Sequence, residues 1–336
     1  MLVGTSFAID MGDIYRVSAH SETQDGPTAY RAPTAVACLT SEPVFRDLLD
    51  FGPGELTAIE RWQIRFVRRT FESAPVDKVI RVLQRHISAN WIDLSTRNLL
   101  HVHGVDRLPP FDRNASTILV SNHRSFFDLF AVSSVIVKRG IGQRLMFPVR
   151  SAFFYDTPLG LAVNGAMSFF AMYPPVFRDR DRVALNRASV DEVIRLLQEG
   201  GAFVGLHPEG KRNKSDDPYA LLPARPGVGR IIQATRGRAT VIPVFVNGLG
   251  NDIVRQIAGN YLKKGDAVTI VFGEPIDFGD LTAGASTAER HQRISEYALD
   301  AVRALGEEER GLRAKLPQVS RAATALRSDE IEAERR

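Results

Sequence analysis

The sequence predicts an α/β protein: a mixed, largely parallel central sheet flanked by helices, with an N-terminal helical segment in front of it. Two patterns predict this. Four apolar bursts have strand length: Thr117 to Val120, Ala202 to Leu206, Val241 to Val246 and Val268 to Phe272. Helical patterns alternate with them, as in βα units. Composition agrees, because 44% hydrophobic and 24% charged residues are ordinary for a globular chain. A chain of 336 residues buries roughly 75% of its unfolded surface, so it needs no disulfide staples. Its single cysteine, Cys38, excludes an intrachain disulfide and any cysteine-based metal cluster.

In chain order, residues 1–54 form an irregular N-terminal segment with little periodicity, and Ser21 to Thr28 has loop chemistry. Residues 55–109 form a helical region with two expected helices. In the first, Leu56, Ile59, Trp62 and Phe66 share one side, while Arg61, Arg65, Arg68 and Arg69 make a basic stripe on the surface. In the second, Val76, Val79, Ile80, Leu83 and Ile87 form the apolar side, and Lys78, Arg81 and Arg85 the charged one.

The α/β domain spans 110–280. Its helices include Phe126 to Val137 and one marked by Val190, Val193, Ile194 and Leu197, closed by Gly200-Gly201. Residues 281–336 hold a last helix, Gln292 to Leu305, and a flexible tail rich in Arg, Glu and Ala.

No apolar run reaches the ~18 residues of a membrane span. The nearest approach, Leu161 to Phe177, is interrupted by Asn164, Ser168 and two prolines. The N-terminus lacks the basic start and long apolar stretch of a secretory signal. The expectation is a cytoplasmic protein, peripheral at the inner face of the membrane. A net charge of +4 and a pI near 9.3 suit anionic partners without selecting among them.

The chemistry gathers where strands run into polar turns. Ile118 to Asp128 is an apolar strand, then Ser121-Asn-His-Arg-Ser125, then an apolar helix. Sites in open α/β sheets lie beyond the carboxyl ends of strands, and His123 and Asp128 fall there. On one continuous helix, side chains five residues apart would point about 140° apart. With His123 in the turn and Asp128 in the first helical turn, they can meet. A carboxylate on one imidazole nitrogen leaves the other as a base for a hydroxyl proton. The plainer alternative is a capping histidine and an aspartate favoured by the helix dipole.

Ala202 to Asn213 repeats the design: a strand, then His207-Pro-Glu-Gly-Lys-Arg212. Gly210 permits a sharp turn, Lys211 and Arg212 offer cationic donors for phosphate, and Glu209 can hold an arginine or receive a hydroxyl.

Together, these segments resemble the glycerolipid acyltransferase superfamily, including its 1-acylglycerol-3-phosphate acyltransferases. His123-Arg-Ser-Phe-Phe-Asp128 resembles the His-x4-Asp motif, and Pro208-Glu-Gly-Lys-Arg212 the Pro-Glu-Gly-Thr-Arg motif. The arginine-bearing motif falls within Met172 to Arg182, and Val241-Ile-Pro-Val244 matches the apolar strand with proline. The resemblance covers roughly residues 100 to 277. It implies that His123 deprotonates the acceptor hydroxyl and Asp128 orients it. Glu209, Gly210, Lys211 and Arg212 would shape the acceptor site, with Arg212 on the phosphate, joined by Arg178 or Arg180. His207 replaces the usual Phe, and Lys211 the usual Thr.

The implied reaction transfers an acyl group from an acyl-CoA or acyl-carrier-protein thioester to the hydroxyl of 1-acylglycerol 3-phosphate, with glycerol 3-phosphate or another lysolipid as the alternative acceptor. Expected partners are the donor thioester, the phosphorylated acceptor, the membrane surface and, as a candidate, acyl carrier protein, with no nucleic acid. No metal or bound cofactor is implied.

Among rival readings, a serine hydrolase lacks a Gly-x-Ser-x-Gly elbow. A nucleotide site at Gly227-Val-Gly229 lacks its third glycine. A metal site would need more than His123, Asp128, His207 and Glu209. A non-catalytic protein docking on membranes through the arginine stripe is the alternative of another class.

Overall fold

The computed structural model describes residues 47–177 and 180–316. Eight strands fall among them: β1 (Leu100–His103), β2 (Ser116–Ser121), β3 (Arg144–Met146), β4 (Val149–Arg150), β5 (Pro175–Val176), β6 (Ala202–Leu206), β7 (Ala239–Asn247) and β8 (Val268–Phe272). Six make one sheet in the order β1-β8-β7-β2-β6-β3. Every pairing in it is parallel except β7 with β8. The sheet is therefore mixed and largely parallel, and all four predicted strands belong to it. β4 and β5 form a separate parallel pair.

The central strand β2 explains the pattern. Each of its residues is buried, with β7 on one side and β6 on the other, so it reads as a continuous apolar run. Its side chains alternate between two layers. Ile118 and Val120 join the core beneath α7 (Val183–Glu199), α8 (Pro226–Ala234) and α10 (Ala288–Arg313). Leu119 joins the core beneath α4 (Asp128–Lys138).

The sequence reading missed β1 and β3. β3 begins with Arg144, which is 2% exposed and pairs with Asp77 at 3.1 Å. Its guanidinium lies 4.1 Å from the Phe71 ring centroid, and a charged first residue hides a three-residue strand from hydropathy.

The N-terminal helices correct the expectation most. α1 (Ala58–Glu72) starts on a capping box, with Thr57 accepting from the Glu60 backbone N–H and Glu60 from that of Thr57. Yet the face it buries is Glu60, Gln63, Ile64, Val67, Arg68 and Thr70, while Trp62 and Phe66 are exposed. The polar residues have specific partners. Gln63 donates to the Thr157 carbonyl at 2.9 Å, and Arg68 pairs with Asp47 at 2.7 Å and Glu192 at 3.1 Å. The Arg61 guanidinium bonds the carbonyls of Leu49 and Phe51. The predicted surface stripe is thus half consumed internally; only Arg65 and Arg69 remain exposed.

The second predicted helix is α2 (Ala74–Leu83), a π-helical turn at Gln84–Ser88, and α3 (Ala89–Thr96). Ile80 is buried, but Val76, Val79 and Ile87 are exposed. The π turn adds a residue and rotates the following face. Gln84 uses it to donate to the carbonyls of Ser168 and Phe169.

The last helix, α10, extends beyond the predicted Gln292 to Leu305 at both ends and includes Gly311. Of the irregular N-terminal segment, Leu48 and Phe51 are core residues. The expected loop at 21–28 and the expected tail beyond 316 lie outside the described residues.

Candidate active site

The carboxyl end of β2 is shaped by one asparagine. Asn122 Nδ2 donates to the Val246 carbonyl and its Oδ1 accepts from the Val246 N–H, both at 2.8 Å. The side-chain amide pairs with β7 as a backbone would, which frees the main chain to turn away. His123 is the next residue.

Asp128 opens α4. Its Oδ2 accepts from the backbone N–H groups of Arg124 and Ser125 at 2.8 Å each, and lies 3.5 Å from His123 Nδ1. His123 sits in the turn and Asp128 in the first helical turn, the arrangement that lets the two meet.

The 207–213 loop grips His123 from the β6 side. Glu209, wholly buried, accepts from the His123 N–H at 2.8 Å through Oε1 and from the Leu222 N–H at 2.7 Å through Oε2. The Asn213 N–H donates to the His123 carbonyl at 2.8 Å. Both backbone polar groups of His123 are therefore held by the second motif. Gly210 makes this possible with φ +69, a left-handed turn that its N–H closes onto the His207 carbonyl at 3.0 Å. In the structure Glu209 ties the two turns together through their backbones.

Arg212 is 8% exposed and donates to Asn251 Oδ1 at 2.6 Å. That oxygen also accepts from the Phe126 N–H at 3.0 Å. The His207 ring stacks on His123, with centroids 3.8 Å apart and planes 10° apart. Lys211 is half-buried in the same loop. Arg178 lies outside the described residues; Arg180 begins a short 3-10 turn that leads into α7.

Burial sets the charge states. It drives His123 down to about 3, with the Arg212 guanidinium adding to the effect, so the imidazole is neutral at physiological pH. It pushes Asp128 up to about 6 against the pull of His207 and two N–H donors. Glu209 rises to about 7 for the same first cause, offset by its own two N–H donors.

The serine hydroxyls do not serve a hydrolase. Ser121 donates to the Asn122 carbonyl and Ser125 to that of Gly250. The Gly227-Val-Gly229 pair has a packing reason: a Cβ on Gly229 would come within 1.9 Å of the His291 carbonyl oxygen on α10. Among the described residues, no group of three or more His, Cys, Asp or Glu is arranged to hold a metal.

Sequence reasoning missed Arg124, whose guanidinium holds the Asp217 and Ser215 carbonyls, and Asn251. The signal for Asn251 was its place in a Gly-Leu-Gly-Asn-Asp turn just past the carboxyl end of β7.

Residues 99–247, a segment containing His123, Asp128 and the 208–212 loop, match the model of the Acyltransferase family. Over this segment the chain is similar to the Acyltransferase family. No curated protein matches the chain. The crystal structure of the 1-acyl-sn-glycerophosphate (LPA) acyltransferase PlsC from Thermotoga maritima is similar at 22% identity, over 76% of this chain and 90% of that one, with a TM-score of 0.48. The matched stretch begins just before β1 and ends with β7, and it contains both polar turns.

Proposed function

We propose that the protein transfers a fatty acyl group from an acyl-CoA or acyl-carrier-protein thioester to the free hydroxyl of 1-acylglycerol 3-phosphate. The observation that carries this reading is the junction of the two turns: a neutral, buried His123 beside Asp128, with Arg212 acting on it electrostatically. With Nδ1 facing Asp128, Nε2 is the base. It takes the acceptor proton as the hydroxyl oxygen attacks the thioester carbonyl. The thiolate then leaves and recovers the proton from the imidazolium. No acyl-enzyme forms, and the reaction needs no metal or bound cofactor.

Arg212, with Lys211 and Arg178 or Arg180, holds the acceptor phosphate. This placement has a consequence for the base. Burial is the main cause that holds His123 down and the Arg212 cation the second, so a phosphate that neutralises Arg212 makes the imidazolium easier to form. Half-buried Phe126 and Phe127 flank the turn and offer apolar surface for an acyl chain.

The protein works at the membrane surface, where its lipid acceptor resides. Among the described residues no helix is long and apolar enough to cross a membrane, but α1, the α2 region and α6 (Pro158–Ser168) expose Trp62, Phe66, Val79, Val82, Ile87 and Leu159. Exposed apolar residues flanked by cations fit an anionic bilayer.

The test is a transfer assay with purified protein, labelled acyl-CoA and acyl-carrier-protein donors, and a panel of phosphorylated and unphosphorylated glycerol and lysolipid acceptors. Transfer to 1-acylglycerol 3-phosphate is expected. Preference for an unphosphorylated acceptor, or donor hydrolysis without transfer, would sink the reading.

A further inference from the structure

We propose that His207 is a positioning residue for the acyl transfer: its ring is the surface against which the His123 imidazole is held parallel, fixing where the base points its Nε2. The inference rests on His123 being the base. Three observations carry it.

First, the contacts to His123 fix its backbone but not its ring. Glu209 and Asn213 hold its N–H and carbonyl, yet the torsion that turns an imidazole is broad. The Nδ1 to Asp128 distance of 3.5 Å is too long for a formed hydrogen bond, which leaves a backbone interaction with Ser125 as the ring's other polar contact. Second, His207 covers the ring face at 3.8 Å and 10°. Third, His207 is itself fixed. Its Nδ1 lies 3.1 Å from the Ser121 carbonyl oxygen. A carbonyl only accepts, so Nδ1 carries the proton and the neutral tautomer is set. Only 7% of the residue is exposed.

The stack also suits the charge that develops. When His123 takes the acceptor proton, an imidazolium lies over the π face of His207, well within the ~6 Å reach of a cation–π contact. The charged and titratable groups around His207 are His123, stacked on it, and Asp128, which acts on it electrostatically. Arg212 and Glu209 act one step away, on His123 and Asp128 respectively. A phenyl ring supplies the same face without the nitrogens, which separates stacking from hydrogen bonding.

The experiment compares His207→Phe and His207→Leu with the wild type under saturating donor, alongside His123→Ala. His207→Phe is expected to keep kcat within about threefold, whereas His207→Leu loses about tenfold or more in kcat with acceptor KM changed less than about twofold. A leucine variant with wild-type kcat, or a phenylalanine variant as impaired as leucine, overturns the inference while an inactive His123→Ala leaves the base reading standing. An active His123→Ala overturns both.

Imidazole NMR on the wild-type protein supplies a readout that needs no variant to fold. The His123 ring protons are expected upfield, shifted by the neighbouring ring, with neither histidine titrating near the ordinary imidazole value. Two independent, ordinary titrations overturn the stack.

Discussion

At the scale of single residues, the site is a histidine whose surroundings were assembled from both sides. Replacing His123, the proposed base, with Ala is expected to lower kcat by at least about 100-fold, the usual size of a lost general base, in a protein that still folds cooperatively; a folded variant above about a tenth of wild-type turnover would remove His123 from that proposed role. Glu209→Gln tests the strut. One of the two N–H groups it serves would face an amide NH2, an arrangement that costs about 1–3 kcal/mol, and activity falls because His123 is no longer held. The pH dependence has a definite sign. Glu209 is raised from 4.5 to about 7 in the folded protein, so the fold binds the extra proton between those values, and the stability it contributes is lost as pH rises through about 7. Glutamine has no such dependence. The stability of Glu209→Gln relative to wild type is therefore expected to improve steadily from pH 4.5 to 7, read as the difference in denaturation midpoints; a difference that is flat or falls with pH contradicts the assignment. His123, Asp128, Glu209, Gly210 and Arg212 were legible as candidates because they lie where strands run into polar turns, and the structure brings those two turns together. The backbone role of Glu209 was not readable, since its partners are main-chain N–H groups of residues 86 and 13 positions away.

At the scale of elements, strands were legible and helix faces were not. β2, β6, β7 and β8 are buried throughout or nearly so, and burial on both faces writes itself as an apolar run. α1 defeated the same logic, because it buries polar residues that find partners far along the chain. Arg68 is the clearest case: it pairs with Asp47 and Glu192 and also lies 3.3 Å from the Tyr173 hydroxyl. No local spacing announces a carboxylate 124 positions later. Truncating a buried, paired cation leaves buried charge behind, so Arg68→Ala is expected to cost about 3–5 kcal/mol in chemical denaturation. Arg65→Ala, on the exposed side of the same helix, should stay within about 0.5 kcal/mol. Equal effects from the two substitutions would mean that α1 presents a different face to the core.

At the scale of the whole molecule, the turned α1 changes which surface can meet a membrane. The arginines that looked like a docking stripe divide by burial: Arg61 and Arg68 hold the protein's own carbonyls and carboxylates, whereas Arg65 and Arg69 are exposed together with Lys78 and Arg85. On the predicted apolar side of the first helix, Leu56 is buried but Trp62 and Phe66 are exposed. Trp62 stacks beside Phe66 at 5.8 Å, and Phe66 meets Phe170 edge-on at 5.4 Å, which links α1 to the end of α6. Binding should accordingly have two components with different signatures. The cationic part weakens with salt, since the screening length falls from about 10 Å at 0.1 M to about 3 Å at 1 M. The apolar part persists, because burial of Trp62, Phe66 and Val79 in the interface does not depend on ionic strength. In sedimentation with vesicles containing anionic lipid, Arg65→Glu with Arg69→Glu is expected to reduce binding mainly at low salt. Trp62→Ser with Phe66→Ser should weaken it at every salt concentration and abolish it at about 1 M salt, where the cationic part is screened, while leaving transfer to a detergent-dispersed acceptor intact. Vesicle binding undiminished by the serine pair would place the membrane contact on another face of the protein.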